Sequence, residues 1–255
     1  MIDETKITRA ILENAFKDIL DSLDIDVAIA GGGPAGLVAA RYLADGGASV
    51  SLFERKLSVG GGMWGGGMMF PKIVVQEAAK GILDDFGINY IEDKEGQYVA
   101  NSLESVAKLT AKAIDAGAKI FNAISVEDVM IRESGITGFV INWSAVGAAN
   151  LHVDPLTIAS KFSIDATGHP TEVCHIARKK VGKLNTPSGE IEGELSMWAE
   201  KSESLVVENT KEVYSNLYVA GMAANAVFGA PRMGPIFGGM MLSGKKVAEL
   251  ILERL

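Results

Sequence analysis

Ile25-Asp26-Val27-Ala28-Ile29-Ala30-Gly31-Gly32-Gly33-Pro34-Ala35-Gly36 reads as an apolar strand, a glycine turn and the start of a helix. Gly31, Gly33 and Gly36 stand in the spacing G-x-G-x-x-G. Glycines let the backbone approach a pyrophosphate, and a helix beginning near Pro34 offers free N–H groups and the positive end of its dipole. A second strand, Ser49-Val50-Ser51-Leu52-Phe53-Glu54, ends in an acid about 20 residues after the turn, where a ribose-binding carboxylate belongs. That acid favours a free ribose 2′-hydroxyl over a 2′-phosphate. A glycine-rich turn without a ligand is the bland alternative; strand, helix, strand and acid together favour an adenine dinucleotide.

Working outward, the 255 residues suit a single domain spanning 1–255, led by a helix over 4–23. That helix carries Ile7, Ile11, Phe16, Ile19, Leu20 and Leu23 at helical spacing, a face that packs on the domain or on another subunit. The chain is 48% apolar with a net charge of −8, and its basic residues form no cluster of the kind nucleic acid requires. One cysteine, Cys174, excludes an internal disulfide framework and suits a reducing cytoplasm. No apolar run of about 20 residues predicts a membrane span.

After the second strand come six glycines in eight residues, Gly60 to Gly67. They are a flexible loop or a backbone cradle beside the dinucleotide; their position directly after the acid-bearing strand favours the cradle. Helices are predicted over 74–87 and 103–116, with a short strand at 89–92 between them. A strand at 118–121 extends the parallel sheet. Residues 124–131 and 138–143 alternate like an antiparallel meander. Ser163-Ile164-Asp165-Ala166-Thr167-Gly168 is a further strand, 171–181 a helix, 216–221 a last strand, and 238–255 a final helix. The expected fold is α/β, a Rossmann-like parallel sheet with an antiparallel meander, of the FAD/NAD(P)-binding, glutathione-reductase type. Flavoproteins of that type usually end the last strand in Gly-Asp, and the Asp holds the cofactor. Here the strand ends in Gly221-Met222-Ala223.

Of the three histidines, His152 precedes Asp154 by two, and the adjoining Pro155 biases Asp154 to extended backbone, so both side chains share a face. His169 comes directly after Ala166-Thr167-Gly168 at the carboxyl end of a strand, where open α/β sheets bind ligands. One carboxylate with one or two histidines suits a divalent metal such as Fe(II); equally, Asp154 could cap a helix beginning after it. Cys174 and His175 fall within a helix and read as packing or surface residues. Arg232, in the loop Gly229–Pro235, is either a bidentate carboxylate anchor or an ordinary surface arginine.

Taken together, Gly31–Gly36, Phe53-Glu54-Arg55, Gly60–Gly67, Asn142-Trp143, His152-Val153-Asp154-Pro155, Asp165–His169 and Arg232-Met233-Gly234-Pro235 resemble the thiamine thiazole synthase family in its archaeal-type, sulfide-using form, nearly end to end. The resemblance implies that NAD is a substrate. NAD, glycine and sulfur yield an ADP-linked thiazole carboxylate, a thiamine precursor, and nicotinamide leaves. Eukaryotic members donate sulfur from a cysteine two residues before the aspartate and work once; His152 stands there in this chain, which implies free sulfide, Fe(II) and multiple turnover. By the same resemblance Asp154 and His169 match the iron ligands, and Arg232 matches the glycine anchor. Ala30, Gly31, Gly33, Gly36, Glu54, Arg55, Gly62, Val126, His152, Val153, Asp154 and Met222 match dinucleotide contacts. The resemblance also implies a homo-oligomer, expected to be an octamer, with sites shared between adjacent subunits. His152 is a candidate proton shuttle. Three other readings compete. A flavin- or NAD-dependent oxidoreductase of the same fold lacks its aspartate after Gly221. A non-catalytic nucleotide-binding protein leaves His152, Asp154, His169 and Arg232 unused, and a ribose-phosphate isomerase leaves Glu54 unexplained.

Overall fold

The computed structural model describes residues 2–133 and 135–255. Helix α1 (Glu4–Leu20) is capped by Asp3, whose side chain accepts from the N–H groups of Thr5 and Lys6. It buries none of its residues, so its apolar face does not pack on the domain. Strand β1 (Asp24–Ala30) leads into α2 (Pro34–Asp45) and β2 (Val50–Glu54), and a 3₁₀ turn forms at Gly61–Gly65. Next come β3 (Lys72–Gln76), α3 (Glu77–Asp85), β4 (Tyr90–Lys94), β5 (Gln97–Asn101), α4 (Ser102–Asp115) and β6 (Lys119–Asn122). The meander is β7 (Ile124–Arg132) and β8 (Gly135–Trp143), then α5 (Ser144–Ala148) and the long β9 (Leu156–Asp165). The chain continues through α6 (Glu172–Val181), α7 (Ala199–Glu208), β10 (Glu212–Tyr214), β11 (Leu217–Val219), α8 (Met222–Phe228) and α9 (Gly238–Leu252).

The main sheet runs β10-β11-β9-β1-β2-β6, with β11, β9, β1, β2 and β6 parallel. The first half of β9 also pairs antiparallel with β8, which joins the meander to this sheet. It is the α/β, Rossmann-like parallel sheet with an antiparallel meander that the sequence predicts. β1 lies between β2 and β9 and is buried on both faces. Val27 and Ile29 enter one core with α2 and α9, while Ala28 and Ala30 enter a second with α6 and the meander. Among the described residues no helix is long and apolar enough to cross a membrane.

Several elements differ from expectation. Residues 72–76 form β3, whose Ile73-Val74-Val75 run pairs antiparallel with β5 (Val74 opposite Val99), so the helix predicted from 74 begins at Glu77. β5 is not predicted by the pattern; it and β4 build a separate three-stranded sheet with β3. β9 begins at Leu156, seven residues before the predicted strand, because β8 supplies a partner for its first half. Helices α7 and α8 are also additional to the pattern, short segments whose helicity depends on burying Val206 and Met222 against Met233.

Two glycines of the turn are required by close approach. Gly31 has φ +100°, and a Cβ there would lie 2.4 Å from the Ala166 carbonyl oxygen. A Cβ at Gly36 would lie 2.1 Å from the Gly31 carbonyl oxygen, whereas one at Gly33 meets nothing within 4 Å. Behind the loop carrying Arg232, the N-terminus of α9 meets a buried acid. Gly239 N–H donates to Glu203 Oε2 at 2.7 Å, and the Gln76 amide donates to the same oxygen. Burial pushes the Glu203 carboxyl up to about 7, against the pull of these two hydrogen bonds.

Gly36→Ala is therefore expected to lower unfolding free energy by about 2 kcal/mol or more, and Gly33→Ala by less than about 1 kcal/mol, both read from urea denaturation. For Glu203, the native state keeps a proton that the unfolded chain loses between pH 4.5 and about 7, so stability falls as pH rises through that window. Glu203→Gln is expected to gain stability over the parent progressively across that window, the advantage being fully present above pH 7; a constant difference from pH 4.5 to pH 8 would contradict this.

Candidate functional site

A cleft opens at the carboxyl ends of β1 and β2, where the strand order turns from β2 on one side of β1 to β9 on the other. Such a switch point is where open sheets bind ligands. Ala30, Gly31, Glu54, Arg55 and Val126 line it, with Phe53, Ile124, Thr167, Glu172 and Val173. Glu54 is held at its mouth: Gly32 N–H donates to one carboxylate oxygen at 2.8 Å and Lys56 N–H to the other at 2.8 Å. Each oxygen keeps a lone pair for a further donor such as a ribose hydroxyl. Arg55 pairs with Glu172 across the cleft. Burial pushes the Glu172 carboxyl up, and Arg55 partly offsets this.

The floor is organised by Asp165, fully buried at the end of β9. It accepts from the N–H and hydroxyl of Thr167 at 3.0 and 2.7 Å and from Cys174 N–H at 2.8 Å. The glycine-rich loop lies on the fingerprint turn. Gly60 N–H donates to the Gly32 carbonyl at 2.6 Å, and a Cβ at Gly61 would sit 3.2 Å from Gly33 Cα. Gly62 faces open space. Met222 does not line the cleft; it is buried at the start of α8 against Val206 and Met233.

The remaining candidates fall into two groups. His169, just past β9, has Nδ1 2.5 Å from Glu194 Oε1, and Glu194 Oε2 lies 3.8 Å from Nε of Arg232. His152, Val153 and Asp154 occupy an exposed loop before β9, tied to β8 where the buried Asn142 side chain donates to the Val153 carbonyl at 3.3 Å. The His152 and Asp154 side chains have no partner among the described residues. Asp154 leads into the strand β9 and not into a helix, which removes the helix-capping alternative. Asp154 and His169 flank opposite ends of β9, ten residues long; at roughly 3.3 Å per residue the two ends of that strand are about 30 Å apart. One chain therefore does not bring them together, and among its described residues no three acidic, histidine or cysteine side chains cluster to hold a metal.

Sequence reasoning does not single out Thr167, Glu172 or Glu194. Thr167 lies inside the quoted Ala-Thr-Gly run, so a signal exists; Glu172 and Glu194 are ordinary surface acids until the fold places them. Cys174 is fully buried, and burial first, then the Asp165 charge, pushes its thiol well above the ordinary range. His175 is exposed on α6.

A family model described as the Thi4 family matches residues 8–237. The thiamine thiazole synthase of Methanothermobacter thermautotrophicus is 60% identical over 255 residues, covering 100% of this chain and 99% of that protein. The thiamine thiazole synthase of Pyrococcus horikoshii is 55% identical, again over 100% of this chain and 99% of that protein. The crystal structure of Thermovibrio ammonificans THI4 superposes with a TM-score of 0.96 at 48% identity, covering 99% of this chain and 98% of that one.

The burial of Cys174 has a direct consequence. Iodoacetamide at pH 8 is expected to leave the mass of the folded chain unchanged and to add one carbamidomethyl group in urea. Alkylation of the folded chain at the rate of a free thiol would contradict it.

Proposed function

The chain belongs to the Thi4 family and is an enzyme of thiamine biosynthesis, and on that premise we propose that it condenses NAD, glycine and free sulfide into an ADP-linked thiazole carboxylate, with Fe(II) held between two subunits. The observation that carries this reading is the placement of Asp154 and His169 at opposite ends of β9, both exposed. Neither end is a metal site alone; a second copy that sets its Asp154 loop against this chain's His169 completes one. A carboxylate and an imidazole with open positions suit Fe(II). When bound there, the ion supplies a Lewis acid and a position for sulfide.

The chain's own residues have separate tasks. Glu54 takes the adenosine ribose hydroxyls, and the N-terminus of α2 with the open face of Gly33 takes the pyrophosphate. The Gly60–Gly67 loop, hydrogen-bonded to Gly32, covers the dinucleotide. The Arg232 guanidinium holds the carboxylate of glycine by two parallel hydrogen bonds. His152 moves protons between the successive tautomers, as an imidazole can near neutral pH. Sulfur comes from solution: His152 has none to give, and Cys174 is buried beneath Asp165. The flavin-dependent alternative lacks its carboxylate, since β11 leads through Ala220 into Gly221 and the buried Met222.

Apolar side chains surround both half-sites. Trp143, Leu151 and Val153 are exposed beside the Asp154 loop, and Leu195, Met197 and Trp198 beside Arg232. The α1 face adds Ile7, Ile11, Phe16 and Leu20. Such rims are surfaces for other copies of the chain, in keeping with the proposed octamer.

Anaerobic incubation with NAD, glycine, Fe(II) and excess sulfide is expected to give more than one adenylated thiazole per chain by mass spectrometry. Product capped at one, with sulfur lost from Cys174, would overturn the catalytic reading. Asp154→Ala and His169→Ala are each expected to be inactive, and refolding them together to restore about a quarter of the parent rate, because one shared site in four then holds both ligands intact. No recovery from co-refolded chains would exclude a shared site.

A further inference from the structure

We propose that Glu194 is a positioning residue that fixes His169 and Arg232 as one unit; this rests on the proposed roles of those two residues as metal ligand and carboxylate anchor. Its carboxylate is two-sided, with Oε1 2.5 Å from Nδ1 of His169 and Oε2 3.8 Å from Nε of Arg232. The Glu194 side chain is 17% exposed, against 46% for His169 and 60% for Arg232, so the carboxylate is the inner member and the two functional groups face outward. A carboxylate oxygen accepts hydrogen bonds, so the tautomer that satisfies this contact is the one in which Nδ1 of His169 donates. The lone pair is thereby placed on Nε2, the nitrogen left to ligate a metal. Carboxylate–histidine–metal relays of this kind orient the ring and raise the basicity of the ligating nitrogen. Toward Arg232 the carboxylate approaches Nε at 3.8 Å, and a guanidinium approached at Nε can still offer its two Nη groups to an incoming carboxylate in parallel.

The backbone holds Glu194 in this position. Gly193 N–H donates to the Ala226 carbonyl at 3.0 Å, Leu195 N–H to Ala230 at 3.1 Å, and Arg232 N–H to Leu195 at 3.2 Å. The strip carrying Glu194 is thus bonded directly to the loop carrying Arg232, and Trp198 N–H closes it onto the Arg232 carbonyl at 3.1 Å. Glu194 links the half-site for the metal to the half-site for the substrate carboxylate within one subunit.

The test uses the assembled full-length protein, titrated anaerobically with Fe(II) and, for its visible spectrum, with Co(II). Glu194→Gln is expected to weaken both metals by about 10- to 100-fold and to alter the Co(II) bands. It is also expected to raise KM for glycine while leaving KM for NAD and the unfolding midpoint unchanged. Glu194→Asp, which keeps the charge, is expected to lie between Gln and the parent. Parent-like metal affinity in Glu194→Gln, with affinity lost in His169→Ala, would overturn the proposal and leave the metal reading standing. Metal affinity retained in His169→Ala would overturn that reading and the proposal with it. A lowered unfolding midpoint or weakened NAD binding in both Glu194 variants would mark a general structural role and overturn the proposal.

Discussion

The close passage of Gly31 under the end of β9 is the constraint on which the rest depends. β1 and β9 run parallel from Asp24 opposite Ala159 to Ala30 opposite Asp165, and the chain must then turn within contact distance of Ala166. A side chain at Gly31 would strike the Ala166 carbonyl, and one at Gly36 would strike Gly31. With both absent, α2 starts at Pro34, directly after the turn. Glu54 then reaches back to Gly32, and Gly60 closes on the same residue from the other side. A single turn thus gathers the glycines, the acid and the covering loop.

β9 gives the molecule its second organising feature. Its first half belongs to the meander and its second half to the parallel sheet. Asp154 sits ahead of one half and His169 beyond the other, so the strand acts as a spacer between the two proposed ligands. The shared site proposed above answers this separation, and apolar side chains are exposed near both ends of the strand. Glu203 and Glu194 show two uses of a carboxylate nearby. Glu203 is buried behind the Arg232 loop and held toward its neutral form, while Glu194 stands at the edge of the site with a base on each side.

Much of the sheet is legible in the sequence because its signals are local. The strand–turn–helix of β1 and α2, the acid ending β2, the parallel β6 and the meander all derive from hydrophobic period and glycine placement. β3 and β5 escape such a reading because a β-branched run leading into a helix has the same apolar content as a helix start, and only their mutual pairing distinguishes them. The first half of β9 escapes it for the same reason: its partner, β8, must first be placed beside it.

The sequence by itself determined the kinds of group available: a glycine turn ahead of a helix, an acid ending the next strand, imidazole and carboxylate donors, an arginine, and no cysteine beside Asp154. These depend on residue type and near spacing, which a chain carries before it folds. Tertiary structure decided which of these groups meet. It buried Cys174 under Asp165, joined His169 to Glu194 across 25 residues, and held Asp154 a strand's length from His169. Hydrogen bonds and metal ligation need partners within about 3 Å, and distances of that order between remote residues exist only once strands have registered and loops have packed.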